Sequence, residues 1–217
     1  MTAPQPTLRI NEIFYSLQGE TSRIGLPTVF IRLTGCPLRC GYCDTEYAFH
    51  EGESMPLSAI LEKTKAYGAH YVTVTGGEPL AQKGCIDLLK ALCDADYSVS
   101  LETSGALDVS KVDVRVSKIV DVKTPGSGEV TKNRWENLQY LTPHDEIKFV
   151  LCDVNDYQWA KQQLTEHNLV ERCPVIFSPV FSTLEPGDLA EWVLRDHVPV
   201  RMQIQLHKYL WGEGRGK

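Results

Sequence analysis

No run of apolar residues in the chain is long enough to span a bilayer, which removes a helical integral membrane protein from consideration. Met1 to Pro6 lack the charged segment followed by a hydrophobic one that marks an export signal, so the expectation is a cytoplasmic protein. Basic residues are also short: 22 Lys and Arg stand against 28 Asp and Glu, for a net charge of -6. Broad nucleic-acid binding is driven by dense positive surface, and none is evident; a small-molecule substrate fits better. No repeat, low-complexity tract or linker interrupts the 217 residues, which therefore read as one domain, 1–217, with Glu213 to Lys217 as a loose tail. A disulfide framework is missing too. The cysteines number seven, an odd count, and Cys85, Cys93, Cys152 and Cys173 fall in or beside helical patterns where free cysteine packs as a small hydrophobe.

The other three cysteines carry the chemistry. Cys36-Pro37-Leu38-Arg39-Cys40-Gly41-Tyr42-Cys43 spaces them by three residues and then two on a tight loop, where a disulfide would be strained and a metal centre suits the thiolates. A four-iron cubane held by three cysteines leaves one iron open to a ligand that is not protein. The same thiolates closed by His50 would instead make a zinc site. On the cysteines alone both remain open.

Strand and helix patterns alternate along the rest of the chain. Leu8 to Leu17 and Thr28 to Leu33 read as strands flanking Gln18-Gly19-Glu20, and Arg32 interrupts the apolar run of the second. A helix from Leu57 follows Pro56, then a strand, Tyr71 to Thr75, ends in Gly76-Gly77-Glu78-Pro79. A helix with Cys85, Leu88, Leu89 and Leu92 on one stripe precedes a strand, Tyr97 to Leu101, and the polar loop Glu102-Thr103-Ser104-Gly105. Further strands are expected at Lys118 to Val122, Glu146 to Leu151, Val175 to Phe177 and Val200 to Leu206. Between them lie a brief helix at Trp135 to Leu141, one capped by Asp153 and a last one around Leu189, Trp192 and Val193. This alternation predicts an α/β fold, a parallel sheet of six or seven strands curled into a partial (β/α) barrel. Sites in such sheets form at the carboxyl ends of the strands, which would bring Cys36, Gly77, Glu78, Glu102, Lys123, Ser178 and His207 to one cavity. Lys148, in the middle of its strand, reads as structural.

Seven short motifs occur together and in order: Ser16-Leu17-Gln18-Gly19-Glu20, Phe30-Ile31-Arg32-Leu33, Gly35-Cys36-Pro37, Cys43-Asp44-Thr45, Thr75-Gly76-Gly77-Glu78-Pro79, Glu102-Thr103-Ser104-Gly105 and His207-Lys208-Tyr209-Leu210. The set resembles the 7-carboxy-7-deazaguanine synthase family of the radical S-adenosylmethionine superfamily. The resemblance implies a compact radical barrel, a homodimer, and conversion of 6-carboxy-5,6,7,8-tetrahydropterin to 7-carboxy-7-deazaguanine in queuosine and deazapurine biosynthesis. That reaction removes a hydrogen at C6, contracts the ring and loses ammonia. It implies a 4Fe-4S cluster on Cys36, Cys40 and Cys43, S-adenosylmethionine, Mg2+ on Thr45, and an electron-donor protein such as a flavodoxin. Leu17, Gln18, Gly19, Glu20, Arg32, Thr75 and His207 would bind the pterin, with Arg32 on its carboxylate. Gly77, Glu78, Glu102, Asp121, Lys123 and Ser178 would line the S-adenosylmethionine side. Thr21 departs from the glycine common in the family after Gln-Gly-Glu. The competing readings are another radical enzyme, such as one that activates a glycyl-radical protein, and a non-catalytic zinc module.

Overall fold

A computed structural model describes residues 6–212 and 214–217. The expectations stated for Met1 to Gln5 and for Glu213 fall outside the described residues. The chain runs β1 (Thr7–Leu17), β2 (Pro27–Leu33), β3 (Glu53–Pro56), α1 (Leu57–Ala66), β4 (Tyr71–Gly76), α2 (Cys85–Asp94), β5 (Ser98–Thr103), β6 (Ser117–Val122), β7 (Glu146–Leu151), α3 (Val154–Glu166), β8 (Val175–Pro179), α4 (Pro186–Arg195), β9 (Arg201–Met202) and α5 (Leu206–Trp211). The strands form one sheet in the order β3-β1-β2-β4-β5-β6-β7-β8-β9. From β2 to β9 every neighbouring pair is parallel, as the alternation of strands and helices predicts. Among the described residues no helix is long and apolar enough to cross a membrane.

Two departures from that expectation matter. First, β1 pairs antiparallel with both β2 and β3, because the nine residues between β1 and β2 form a loop and not a crossover helix. Second, the strand expected over Val200 to Leu206 stops at Met202, and α5 follows. The Gln203 N–H still donates to the Phe177 carbonyl of β8, but its side chain bonds both backbone groups of Thr21, and the Leu206 N–H donates to the Gly19 carbonyl, so beyond Gln203 the chain turns to the loop after β1.

The helices sit where their stripes demand. Ile60 of α1 and Leu88, Leu89 and Leu92 of α2 are buried with Val29, Ile31, Val72, Val74 and Leu101 in one half of the core. Tyr157, Ala160 and Leu164 of α3 and Leu189 and Val193 of α4 meet Ile147, Phe149 and Phe177 in the other. Each buried Leu, Ile, Val or Phe among them contributes about 1.5–3 kcal/mol by leaving water. α3 begins where Asp153 accepts the N–H groups of Asn155 and Asp156, the cap read from the sequence.

The antiparallel start has a consequence for the inside of the barrel. Leu17, the end of β1, pairs with Pro27, the start of β2, so the loop 18–26 leaves at the amino ends of the parallel strands. It crosses those ends: the Arg23 guanidinium donates to the Ser98 carbonyl at the start of β5, and the Ser22 N–H to Glu146 at the start of β7, both at 3.0 Å. The loop is a floor under the barrel. Thr21 lies in it with φ 69, the left-handed region, which is why glycine would be at ease there. The grip of Gln203 on both sides of its peptide holds the threonine in place.

Candidate active site

A cavity of about 570 Å³ opens inside the curl of the sheet. Leu17, Gln18, Gly19 and Glu20 line it from the floor, and Thr75, Gly77, Glu102, Asp121 and Lys123 from the parallel strands and the loops that follow them. Cys36, Cys40, Cys43 and Thr45 reach it from the loop after β2, Arg32 from β2 itself, and His207 from α5. The cavity is thus lined from both ends of the strands, not only from their carboxyl ends.

The floor and the strands are joined by polar contacts. Gln18 Nε2 donates to Thr73 Oγ1 and to Glu102 Oε1, each at 3.2 Å, and the Thr75 hydroxyl donates to Glu102 Oε2 at 2.9 Å. Burial pushes the Glu102 carboxyl above its ordinary pKa. Lys148 Nζ lies 2.9 Å from Glu20 Oε2 and 3.9 Å from Asp121 Oδ2, and Lys123 Nζ lies 3.0 Å from the same Asp121 oxygen. Charges therefore alternate across the cavity from the floor to the cysteine loop. Two oxygens in this row of charges, Glu20 Oε1 and Asp121 Oδ1, are buried without a partner. A polar atom so placed is costly unless a ligand meets it. His207 packs over Gly19 so closely that a Cβ there would collide with its ring.

On the wall, Arg32 Nε donates to Glu12 Oε1 at 2.7 Å, and Phe14 and Phe30 stack with centroids 4.9 Å apart. At the top, the cysteine loop is anchored by Gly35, whose N–H bonds the Ala48 carbonyl, and by Gly41, whose N–H bonds the Ser127 carbonyl. Burial raises all three thiols, Cys40 to about 11, against the pull of the Lys123 ammonium. The Thr45 hydroxyl donates to Asp44 Oδ1 at 2.7 Å, and Lys208 Nζ stands 3.6 Å from Asp44 Oδ2.

Two expected site residues do not reach the cavity. The Glu78 side chain is fully buried and its carboxylate accepts from the Thr103 hydroxyl, the Ser104 N–H and hydroxyl, and the Leu80 N–H. It ties the Gly-Gly loop to the end of β5 and has no oxygen to spare for a ligand. Ser178 is wholly buried within β8, and its hydroxyl, which has no partner, lies behind the wall. Glu102 reaches the cavity but stands with Gln18 and Thr75, on the side expected for the pterin, and not with Asp121 and Lys123. Lys148, read as structural, borders the cavity with Asp44, Lys208 and Lys217. The signal for Lys148 was present: a lysine in the apolar run Ile147-Lys148-Phe149-Val150-Leu151 has to find a carboxylate.

His50, the fourth ligand a zinc site would need, is exposed, sets its ring edge-on to Phe49, and does not line the cavity. Among the described residues no group of three or more His, Cys, Asp or Glu is gathered closely enough to hold a single ion.

Comparison with known proteins decides the family. Residues 30–122 match the model of the radical S-adenosylmethionine superfamily. The chain is 48% identical to the 7-carboxy-7-deazaguanine synthase of Chlorobaculum tepidum over 213 residues, covering 96% of this chain and 97% of the relative. It belongs to the 7-carboxy-7-deazaguanine synthase family. The synthase of Koribacter versatilis is 44% identical, over 94% of this chain and 97% of the relative. The fold matches the crystal structure of QueE from Escherichia coli with a TM-score of 0.76, at 24% identity and over 93% of this chain and 95% of that one.

Members of this family are radical enzymes that use a 4Fe-4S cluster, S-adenosylmethionine and Mg2+. The residues present fit those groups. The donor set at the top of the cavity is three thiols from one short loop, the ligand type that iron-sulfur clusters take. Beside it Gly77 is held against the cysteine loop, its N–H on the Leu33 carbonyl at 3.2 Å, and a Cβ there would stand 2.7 Å from that of Cys36. The unpartnered Asp121 oxygen lies below, and the hydroxyl of Thr45 with the carboxylate of Asp44 supplies the hard oxygen donors that magnesium prefers.

Proposed function

We propose that this chain, acting as one domain, converts 6-carboxy-5,6,7,8-tetrahydropterin to 7-carboxy-7-deazaguanine with loss of ammonia, in queuosine or deazapurine biosynthesis. When bound, the reduced cluster and S-adenosylmethionine supply hydrogen-abstracting radical chemistry, and magnesium supplies positive charge beside the substrate. Cys36, Cys40 and Cys43 hold the cluster, Thr45 serves magnesium, and Gly77, Asp121 and Lys123 face S-adenosylmethionine.

The observation that carries this reading is a single cavity with thiols at one end and an array suited to a carboxylated pterin at the other. A pterin offers a ring edge rich in N–H groups and a carboxylate. Glu20 and Glu102 can accept from that edge, the Gln18 amide can both donate and accept, and Thr75 and His207 close the ring's surroundings. Arg32 presents a guanidinium, the side chain that pairs with a carboxylate in two parallel hydrogen bonds. The floor loop seals the cavity from below, which keeps water from a reactive intermediate. Glu102 thereby joins the substrate side and leaves the S-adenosylmethionine side. Glu78 holds the Gly-Gly loop to the end of β5, and Ser178 packs within β8, both outside the cavity lining.

The reading includes a homodimer in the cytoplasm, reduced by an electron-donor protein such as a flavodoxin. The experiment is an anaerobic assay of iron-reconstituted protein with S-adenosylmethionine, dithionite, Mg2+ and the carboxylated tetrahydropterin, following 7-carboxy-7-deazaguanine by mass. Formation of that product is expected. If 5'-deoxyadenosine accumulates without it, the substrate is a different one; if a fully loaded protein makes neither, the enzymatic reading fails.

A further inference from the structure

Arg32 is held from behind by two residues that never reach the cavity. We propose that Glu12, steadied by Tyr47, is a positioning residue that fixes the Arg32 guanidinium and so sets the enzyme's preference for a carboxylated pterin. The inference rests on the substrate reading above.

The device begins in the sheet. β1 and β2 are in simple antiparallel register except between Ile10 and Glu12, where one extra residue is inserted. Ile10 pairs with Leu33, so in an unbroken ladder Asn11 would stand opposite Arg32. The irregularity at Asn11 puts Glu12 there. Bulges of this kind re-aim a side chain next to a site. After it the ladder continues with Ile13 on Ile31 and Phe14 on Phe30, both pairs in the order the core and the cavity wall require.

Glu12 Oε1 takes the Nε–H of Arg32 at 2.7 Å, and the Tyr47 hydroxyl donates to that same oxygen at 2.9 Å. The guanidinium carbon lies 5.9 Å from the ring centroids of both Phe14 and Tyr47, a position in which each aromatic face attracts it. Arg32 and Phe14 line the cavity, whereas Glu12 and Tyr47 do not. Engaging Nε fixes the plane of the guanidinium and leaves its two terminal nitrogens as the fork that a carboxylate can bridge. An arginine held in this way has already lost most of its rotamer freedom before substrate arrives, so less is lost on binding.

Charge alone predicts the opposite sign. A carboxylate at Glu12 repels an incoming carboxylate, so if it acted only as a counter-ion, removing it would tighten binding. The test therefore compares Glu12→Ala, which removes the anchor, with Glu12→Gln, which keeps an oxygen acceptor and removes the charge. The probes are 6-carboxypterin and pterin without the carboxylate, oxidised forms titrated by fluorescence into anaerobically reconstituted protein, so that binding is read without turnover.

Wild type is expected to favour 6-carboxypterin. Glu12→Ala should lose about tenfold in affinity for it and nothing for pterin, in the range of one charge-assisted contact misplaced. Glu12→Gln should restore affinity to within about threefold of wild type. Should Glu12→Ala fold poorly, Tyr47→Phe removes only the steadying hydroxyl and should show a smaller loss confined to 6-carboxypterin. Unchanged or tighter binding of 6-carboxypterin by Glu12→Ala and Tyr47→Phe, or equal losses for both ligands, overturns the proposal while the substrate reading stands. A wild type that does not distinguish the two ligands overturns both.

Discussion

Lys148 Nζ stands 2.9 Å from Glu20 Oε2, joining the middle of β7 to the floor loop across 128 positions of sequence. Both side chains are about nine-tenths buried, at 10% and 9% exposure. Taking two such charges from water is costly, and the pair holds because each is the other's counter-ion and Asp121 adds a second carboxylate 3.9 Å from the ammonium. The bridge locks Glu20 where its free oxygen can face a ligand.

Breaking the bridge from one side should therefore be severe. Lys148→Met fills a similar volume but leaves Glu20 as a buried anion without its counter-ion, while Asp121 keeps Lys123 at 3.0 Å. A loss of about 3–5 kcal/mol in unfolding free energy is expected by urea denaturation. Lys148→Met combined with Glu20→Gln should be less destabilised than the sum of the two single variants, because the second change removes a charge the first has stranded. Additive losses would show that the two residues do not act as a pair.

The same pair sets a dependence on pH. Burial pushes the Glu20 carboxyl up, but the Lys148 ammonium more than offsets it and holds the folded pKa below the ordinary value of 4.5. A depressed carboxyl stabilises the fold fully above its unfolded pKa, and that stabilisation is lost as pH falls through the folded one. Denaturation of wild type between pH 7 and pH 3 should show this loss below about pH 4.5, and Glu20→Gln should show a shallower one. Glu102 works in the opposite direction. Its raised carboxyl retains a proton more readily in the folded state, so its cost to stability appears as pH rises through the folded pKa.

Much of this arrangement is legible in the chain before folding, and the gaps have physical causes. The strands β4, β6, β7 and β8 and the cap at Asp153 follow from residue pattern because each is set by its own neighbours. The fully buried β7 reads as a strand by its apolar run, and it is the same run that marks Lys148 as a residue needing a partner. The direction of β1 is not legible: nothing in Gln18 to Leu26 says that this loop will pass under the barrel, a choice made by contacts with Ser98, Glu146 and Gln203 far along the chain. The burial of Glu78 is hidden from the sequence for a related reason. A Gly-Gly-Glu-Pro loop advertises a carboxylate at a site, but Thr103 and Ser104 from the next strand claim it. The cysteine loop is legible as chemistry because its three thiols lie within eight residues.

Thr45 gives a test of the magnesium site that leaves the cluster alone. Its hydroxyl donates to Asp44 Oδ1 at 2.7 Å, so the two side chains hold their oxygens side by side. Thr45→Ala should retain iron content and the brown absorption of the cluster while responding less to Mg2+ in the turnover assay. Activation by Mg2+ equal to that of wild type would remove Thr45 from the metal.

Gly77 gives a test of how closely two loops are pressed together. A Cβ built on it would lie 2.5 Å from the Gly35 carbonyl oxygen and 2.7 Å from Cys36 Cβ, and neither atom belongs to a flexible side chain that could move away. The Glu78 N–H, bonded to the Gly35 carbonyl at 2.8 Å, pins the two loops at the same point. Gly77→Ala must therefore push the end of β4 off the cysteine loop and displace Cys36. Overpacking of this kind costs about 1–3 kcal/mol, and here the displaced atom belongs to a cysteine proposed to hold the cluster. Iron and sulfide content after reconstitution should fall to less than about half of wild type, since two well-placed thiols hold a cubane poorly. Gly41→Ala is the control: it lies on the cysteine loop itself, and a Cβ there meets nothing within 4 Å, so its iron content should be unchanged. Equal loss in both variants would mean that the loop tolerates no side chain anywhere and that the contact between Gly77 and Cys36 has no special weight.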